Sequence, residues 1–186
     1  MTKLELLREL ALDQHGFVTT AQALEAGVSH AELSTMVARG RIGRAAHGVY
    51  RVPQVPATEY DQYRLAVLWT GAPEACLSHD TALEAWGITE INPDRLHVCV
   101  PRRRRLRRSG AEGYVIHHED LPTQQVTWWQ GIPIVTVPTA IAQGIDSGVP
   151  TYLIRQALDR AGRTSILPAS ERERLTAELE ARDVRT

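Results

Sequence analysis

Between Ser29 and Arg51 the chain carries side chains suited to touching a polyanion. Plotted on a 3.6-residue period, His30, Ala31, Ser34, Thr35 and Ala38 share one side, with Arg39 and Arg41 just beyond. A helix that enters a DNA groove about 12 Å wide needs short residues and no stray carboxylates. Glu32 is the one acid in that stretch, and its spacing from Ser29 ties it into a helix cap. This places Ser34 and Thr35 against base edges. Arg39, Arg41 and Arg44 are set to meet phosphates, contacts that position a protein on the duplex without reading sequence. His30, Ala31, His47 and Arg51 complete the candidate DNA-binding surface.

A second cationic cluster lies far downstream: Arg102, Arg103, Arg104, Arg105, Arg107 and Arg108. With Arg95 it puts seven arginines and no acid into residues 95–111, while the whole chain has a net charge of only −1. A protein built this way can present one phosphate-seeking surface and stay near neutral overall. Three readings stand side by side. The run is a solvated connector between two strands, a loop that contacts phosphates, or a surface for a partner protein or RNA, since guanidinium forks pair with carboxylates and phosphates alike.

Other groupings that look like chemistry are weaker. Cys76-x-x-His79 and His97-x-Cys99 supply four potential zinc ligands, but neither pair has the usual structural spacing. Flanked by Leu77, Val98 and Val100, both cysteines read as core residues, and no metal is expected. Ser78-His79-Asp80 are consecutive, and a catalytic triad is a spatial arrangement that neighbours on a helix cap do not make. His117 and His118 are adjacent on a strand and point to opposite faces. No glycine-rich phosphate cradle occurs. Nucleases that pair carboxylates with a lysine fit poorly, because the single lysine is Lys3. The chain is therefore expected to be no enzyme and to need no cofactor.

The elements that must position these residues begin with three capping boxes. Thr2 with Glu5, Thr19 with Gln22, and Ser29 with Glu32 each place a hydroxyl three residues before a carboxylate or amide. Helix-periodic apolar residues follow each one. The first helix buries Leu4, Leu7, Leu10 and Ala11, and Phe17 and Val18 fill the space before the second. Only Gly27 and Val28 separate the second helix from the Ser29 cap, the tight turn of a helix-turn-helix. Leu33, Met36 and Val37 face inward on the third helix. Residues 42–52 then read as two short strands about a turn near residues 46–48. Three helices and a basic hairpin make a winged helix-turn-helix. Pro53 and Pro56 break the pattern, which sets a winged-helix domain at residues 1–56 and a second domain at 57–186.

The second domain reads as helix 58–69, burying Tyr60, Tyr63, Ala66 and Val67, then a helix capped by Ser78 and ended by Gly87. Strands follow at 95–100, 113–118, 125–129 and 132–137, and helices at 138–146, 150–161 and 170–181. The last helix shows a fourth capping box, Ser170 with Glu173. The fold class is α+β: a winged helix-turn-helix followed by a mixed α/β domain with a small sheet and C-terminal helices. No apolar run approaches the ~18 residues needed to span a bilayer. The N-terminus is charged throughout, unlike a signal peptide, and two lone cysteines suit a reducing cytoplasm. A cytoplasmic protein without a membrane partner is expected.

The run Gly16-Phe-Val-Thr-Thr-Ala-Gln-Ala, then Gly27-Val-Ser-His, then Arg41-Ile-Gly-Arg and His47-Gly-Val-Tyr-Arg-Val resembles the N-terminal winged helix of AbiEi-family antitoxins of type IV toxin–antitoxin systems. Leu77-Ser-His-Asp-Thr-Ala-Leu, Trp86-Gly, the strand ending in Pro101, and Gly131-Ile-Pro-Ile-Val are similar to that family's second domain. The resemblance implies a repressor of its own operon that binds operator DNA. It also implies a C-terminal domain that neutralises a cognate nucleotidyltransferase-like toxin. Similar N-terminal regions also precede repair-type endonuclease domains, and a chain ending at Thr186 leaves no room for one, which favours the antitoxin. A stand-alone winged-helix regulator is the alternative. The mode of neutralisation and the oligomeric state, a homodimer on DNA included, stay open.

Overall fold

Three hydroxyls start the first three helices. In the computed structural model of the protein, which describes residues 1–185, these are α1 (Lys3–Leu12), α2 (Thr20–Glu25) and α3 (His30–Ala38). All three capping boxes close. Thr2, Thr19 and Ser29 each accept from the backbone N–H three residues on, and Glu5, Gln22 and Glu32 reach back to the cap N–H. Helices of six to ten residues are too short to persist on propensity alone, so these bonds and a small shared core hold them.

Phe17 and Val18 do more than fill space. Phe17–Thr19 forms strand β1, which pairs antiparallel with β3 (Val49–Arg51), and β2 (Gly43–Ala46) pairs on the other side of β3. The hairpin expected from the sequence is therefore two-thirds of a three-stranded sheet. Val18 opposite Tyr50 sends apolar side chains onto the helices. Leu7, Ala11, Val18, Ala23, Val28, Leu33, Ile42, Tyr50, Val52 and Val55 make this lobe's core.

The second lobe centres on a five-stranded mixed sheet in the order β6-β5-β4-β8-β7. Its strands are β4 (Cys76–Leu77), β5 (Leu96–Val100), β6 (Tyr114–His118), β7 (Val126–Trp129) and β8 (Ile132–Val135). Register settles the faces. Leu77 pairs with Val98 and with Ile134, so these three point one way, while Cys76 pairs with Cys99 and points the other. Helix α4 (Asp61–Trp69) covers the first face, with Trp69 against Tyr114 at 4.9 Å and Tyr60 and Tyr63 edge-on to Trp129 at 5.2 and 5.3 Å. Helices α5 (His79–Ala85), α6 (Val137–Asp146), α7 (Thr151–Arg163) and α8 (Ala169–Arg185) gather on the second.

Several local expectations fail here. Helix α4 starts at Asp61, because Asp61 Oδ1 accepts from the Thr58 N–H and hydroxyl and folds residues 58–61 into a turn. Tyr60 and Tyr63 are only half-buried. Ser78 makes no cap bond; its hydroxyl turns to His79 Nδ1 instead. Helix α8 begins one residue before Ser170, with the Arg172 N–H on Pro168 O, so Ser170 stands inside the first turn and the fourth capping box does not form.

Arginines join the lobes. Arg51 donates to His15 O and Val55 O, pairs with Asp61 at 3.2 Å and lies over the Phe17 ring. Arg64, buried on α4, donates to Gln14 Oε1 and to Gly131 O at the β7–β8 turn. His15 Nε2 lies 2.8 Å from the neighbouring Gln130 O. That turn has positive φ at both Gln130 and Gly131, the two-residue hairpin geometry that matches strand twist. Among the described residues, no helix is long and apolar enough to cross a membrane.

Candidate nucleic-acid interface

The outer face of α3 is open to solvent along its length. His30, Ala31, Ser34, Thr35 and Ala38 are exposed, while Leu33 beneath them is fully buried. Glu32 folds back on the Ser29 N–H, which holds its carboxylate below the ordinary range. The Thr35 hydroxyl donates to Ala31 O at 2.8 Å, so this residue presents its methyl group and an acceptor lone pair outward.

Cations flank the helix on both sides. On one side a groove of about 360 Å³ runs between α3 and the start of α1, lined by Lys3, Thr35, Arg39 and Arg41 among others. On the other, a cleft of about 360 Å³ separates the start of α3 from the wing, with His30, Arg44 and His47 on its walls. Arg44 reaches over the Tyr50 ring at 5.9 Å. Arg39, Arg41, Arg44 and His47 are all exposed. A helix between two cationic walls has the layout of a duplex groove, with base edges at the centre and a phosphate strand on each side.

Lys3 belongs to this surface and is not among the residues expected from the sequence. Its ammonium donates to Gly27 O across the helix-turn-helix, and it retains two further donors. Only the packing of α1 against the α2–α3 turn brings it there, and no local spacing announces that.

Two residues of the candidate set sit elsewhere. Arg51 is half-buried and committed to His15 O, Val55 O and Asp61, so it joins the lobes and leaves the outer surface. Arg108 donates to His47 O in the wing and to Trp69 O at the end of α4, and is likewise turned inward.

The arginine run is the connection from β5 to β6, which are parallel. Arg103 and Arg104 pair with Glu74. The Glu74 carboxylate is held below its usual range by its own backbone N–H and by Arg104. Leu106 packs against the second core. Arg102, Arg105 and Arg107 point to solvent, and among the described residues their guanidinium groups pair with nothing. A cleft of about 470 Å³ between the wing and this connection is lined by Arg44, His47, Ser109 and Gly110. The wing and the arginine run are therefore neighbours, although about sixty residues of chain separate them, as Arg108 on His47 O shows.

The second lobe also holds a histidine cluster that the sequence did not reveal. His79 stacks on His117 with ring centroids 3.5 Å apart, and His97 Nδ1 lies 3.1 Å from His117 Nε2. Burial, then the neighbouring rings of His117 and His97, pushes His79 down to about 3. Burial and His97 push His117 down to about 4. Burial also lowers His97, against the pull of Asp80. His79 takes a left-handed backbone (φ 50°), and its N–H is held by Gln143 Oε1. Ser78 Oγ does meet His79 Nδ1 at 2.9 Å, but Ser78 is fully buried and out of reach of a substrate. Cys76 and Cys99 face each other across β4 and β5 as buried free thiols, and their mutual hydrogen bond raises Cys76. Among the described residues, no group of three or more His, Cys, Asp or Glu side chains is arranged to hold a metal ion.

Two known families match this chain, one on each part. A family described as transcriptional regulator, AbiEi antitoxin, matches residues 5–53, and the AbiEi antitoxin C-terminal domain matches residues 74–186. The chain belongs to the AbiEi antitoxin family. Its AbiEi regulator segment is the winged helix-turn-helix lobe, and its AbiEi antitoxin segment contains the five-stranded sheet, the arginine connection and the histidine cluster. The crystal structure of the RV2827C protein from Mycobacterium tuberculosis aligns with 93 % of this chain and 80 % of that one, at 16 % identity and a TM-score of 0.49. A search of curated proteins finds no match.

Proposed function

We propose that this AbiEi antitoxin represses its own operon through residues 1–56 and counteracts a nucleotidyltransferase-like toxin through residues 57–186, in the cytoplasm and without enzymatic activity. The observation that carries the DNA half is the α3 face: small, with its one carboxylate, Glu32, bonded back to the Ser29 N–H, and walled by Lys3, Arg39 and Arg41 on one side and Arg44 and His47 on the other. Ser34 and Thr35 meet base edges, the Thr35 methyl suiting a thymine methyl. His30 and Ala31 lie at the groove entrance. Arg102, Arg105 and Arg107 add phosphate contacts beyond the groove read by α3. The toxin half rests on family membership.

Footprinting on the DNA upstream of the gene tests the first half. Ser34→Ala and Thr35→Ala should shift base preference, at about 1–3 kcal/mol for each base no longer read. Arg44→Ala should weaken native and scrambled sites alike and lower the salt slope by roughly one unit. Equal losses on both sites for Ser34→Ala and Thr35→Ala would remove these residues from base readout. Co-expression with the neighbouring gene product, scored for growth rescue and co-purification, tests the second half. Repression without rescue would leave a stand-alone regulator.

A further inference from the structure

The exposed Arg102, Arg105 and Arg107 lie on a connection with no regular structure of its own between β5 and the turn before β6. Charges on such a segment add most to DNA affinity when they are already held in register with the phosphates beside α3, because a loose segment loses conformational freedom on binding. Something must fix the segment relative to the wing. At its near end Arg103 and Arg104 hold Glu74. At its far end stands Arg108.

The seat of Arg108 is made of backbone. A single nitrogen, Nη1, donates to His47 O in the wing turn at 3.2 Å and to Trp69 O at the end of α4 at 3.1 Å. The guanidinium lies against Gly48 and Gly71, both with φ of +67°. A Cβ on Gly71 would overlap Nη2, so a side chain there displaces the guanidinium from this seat. The next residue is fixed too, because Trp69 Nε1 donates to Ser109 O at 2.9 Å. A guanidinium keeps its charge and holds its donors in a rigid plane. One end of the arginine connection is thereby tied to the turn of the wing.

We propose that Arg108 is a positioning residue for DNA binding: seated on Gly71 and bonded to His47 O, it locks the arginine connection to the wing so that α3 and Arg102, Arg105 and Arg107 engage one duplex as a rigid surface. This rests on the proposed DNA binding by α3. It differs from a phosphate contact by Arg108 itself, because the residue acts through the groups it holds in place.

The experiment uses the full chain and two operator duplexes. One is a short duplex covering the α3 site alone, and the other a long one extended past the wing. Wild type should bind the long duplex with a steeper dependence of log affinity on log salt, by up to ~2–3 units for three extra phosphates at ~0.9 each. Arg108→Ala should keep short-duplex affinity within about twofold and lose most of the extra slope, with a footprint shortened to the short site. Gly71→Ala expels the guanidinium while retaining its charge, and it should reproduce both losses. Arg108→Lys, which keeps the charge and offers ammonium donors to the same seat, should restore part of the slope. Thermal melts of each variant check that the fold persists. Loss in Arg108→Ala without loss in Gly71→Ala overturns the proposal and makes Arg108 a plain phosphate contact. Wild-type behaviour of both variants on the long duplex overturns it as well, as does equal slope on the two duplexes for wild type. Failure of wild type to bind either duplex refutes the underlying DNA reading, and is seen before any variant is compared.

Discussion

The two lobes start their helices by different means. In the winged lobe each of α1, α2 and α3 is opened by a reciprocal side-chain cap. In the second lobe the N-cap residues of α4, α5, α6 and α7 make no side-chain cap bond, and the first N–H of α5 is held instead by Gln143 of α6. Burial does the work there. Helix α6 alone buries seven of its ten residues, whereas α2 and α3 bury one each. A short helix with one buried anchor gains little from packing, so satisfying its orphan N–H groups matters more. A helix packed among three others, as α6 is among α5, α7 and α8, is fixed by contact whatever its first residue. The contrast separates a lobe held by local bonds from one held by distant ones.

The largest test of that contrast is Leu33→Ala. Leu33 is the buried anchor of α3, and removing it should cost about 2–5 kcal/mol. All four tryptophans, Trp69, Trp86, Trp128 and Trp129, lie in the second lobe. Tryptophan fluorescence therefore reports that lobe, and far-ultraviolet circular dichroism reports both. Leu33→Ala should shift an early part of the dichroism transition to lower urea and leave the fluorescence transition near its wild-type midpoint. If the two transitions still coincide, Arg51, Arg64 and Arg108 make the lobes one cooperative unit, and the lobes differ in how they are built but not in when they melt.

A smaller effect should fall on the second lobe alone. His79 is held at about 3 in the folded protein, against about 6.5 for a free histidine. A base with a depressed folded value binds its proton more readily when unfolded. Its contribution is therefore fully present above about pH 6.5 and is lost as pH falls towards the folded value. For His79 the loss between about pH 7 and 5 is about 2 kcal/mol. His117 and His97 act in the same direction. Glu84, which burial raises, acts the other way towards the acid end of that window. The fluorescence transition should thus move to lower urea at pH 5, and His117→Gln should flatten the change. A pH-independent fluorescence midpoint would mean that the cluster opens and hydrates without cost.

This division also sets what could be read from the sequence. The winged lobe was legible because its signals lie within four residues of one another: Ser29 with Glu32, Gly27 after α2, Val49-Tyr50 after Gly48. What failed there was β1, since three residues show no alternation and Phe17–Thr19 becomes a strand only by pairing with Val49–Arg51. In the second lobe most strands and helices were legible within a few residues, but β4 was not, since Cys76 and Leu77 become a strand only by pairing with β5 and β8, and the joint products of these elements were not legible either. His79, His97 and His117 come from three separate elements, and only the parallel pairing of β5 with β6 sets His97 and His117 on one face. The arginines show the same limit. Composition marks a cationic run, but nothing local distinguishes Arg105, which is exposed, from Arg108, which is seated on Gly71. Arg51 likewise reads as a wing cation and is in fact tied to Asp61.

The smallest expected effect sets two identical sequence signals against each other. Ser29 with Glu32 and Ser170 with Glu173 have the same spacing and the same residue types. The first forms its cap, with Ser29 Oγ accepting from the Glu32 N–H at 3.2 Å. The second does not, because α8 has already begun at Ala169 and Ser170 lies exposed in its first turn. Ser29→Ala removes an acceptor and leaves an N–H of α3 without its partner, at a cost of about 1 kcal/mol. Ser170→Ala replaces a helix-interior serine by the best helix former, so it should be neutral or stabilise by a few tenths of a kcal/mol. Urea melts of the two variants measure both, followed by dichroism for Ser29→Ala and by fluorescence for Ser170→Ala. A loss of about 1 kcal/mol on Ser170→Ala would mean that the helix starts at the cap in solution, and the second lobe would then use local caps as the first one does.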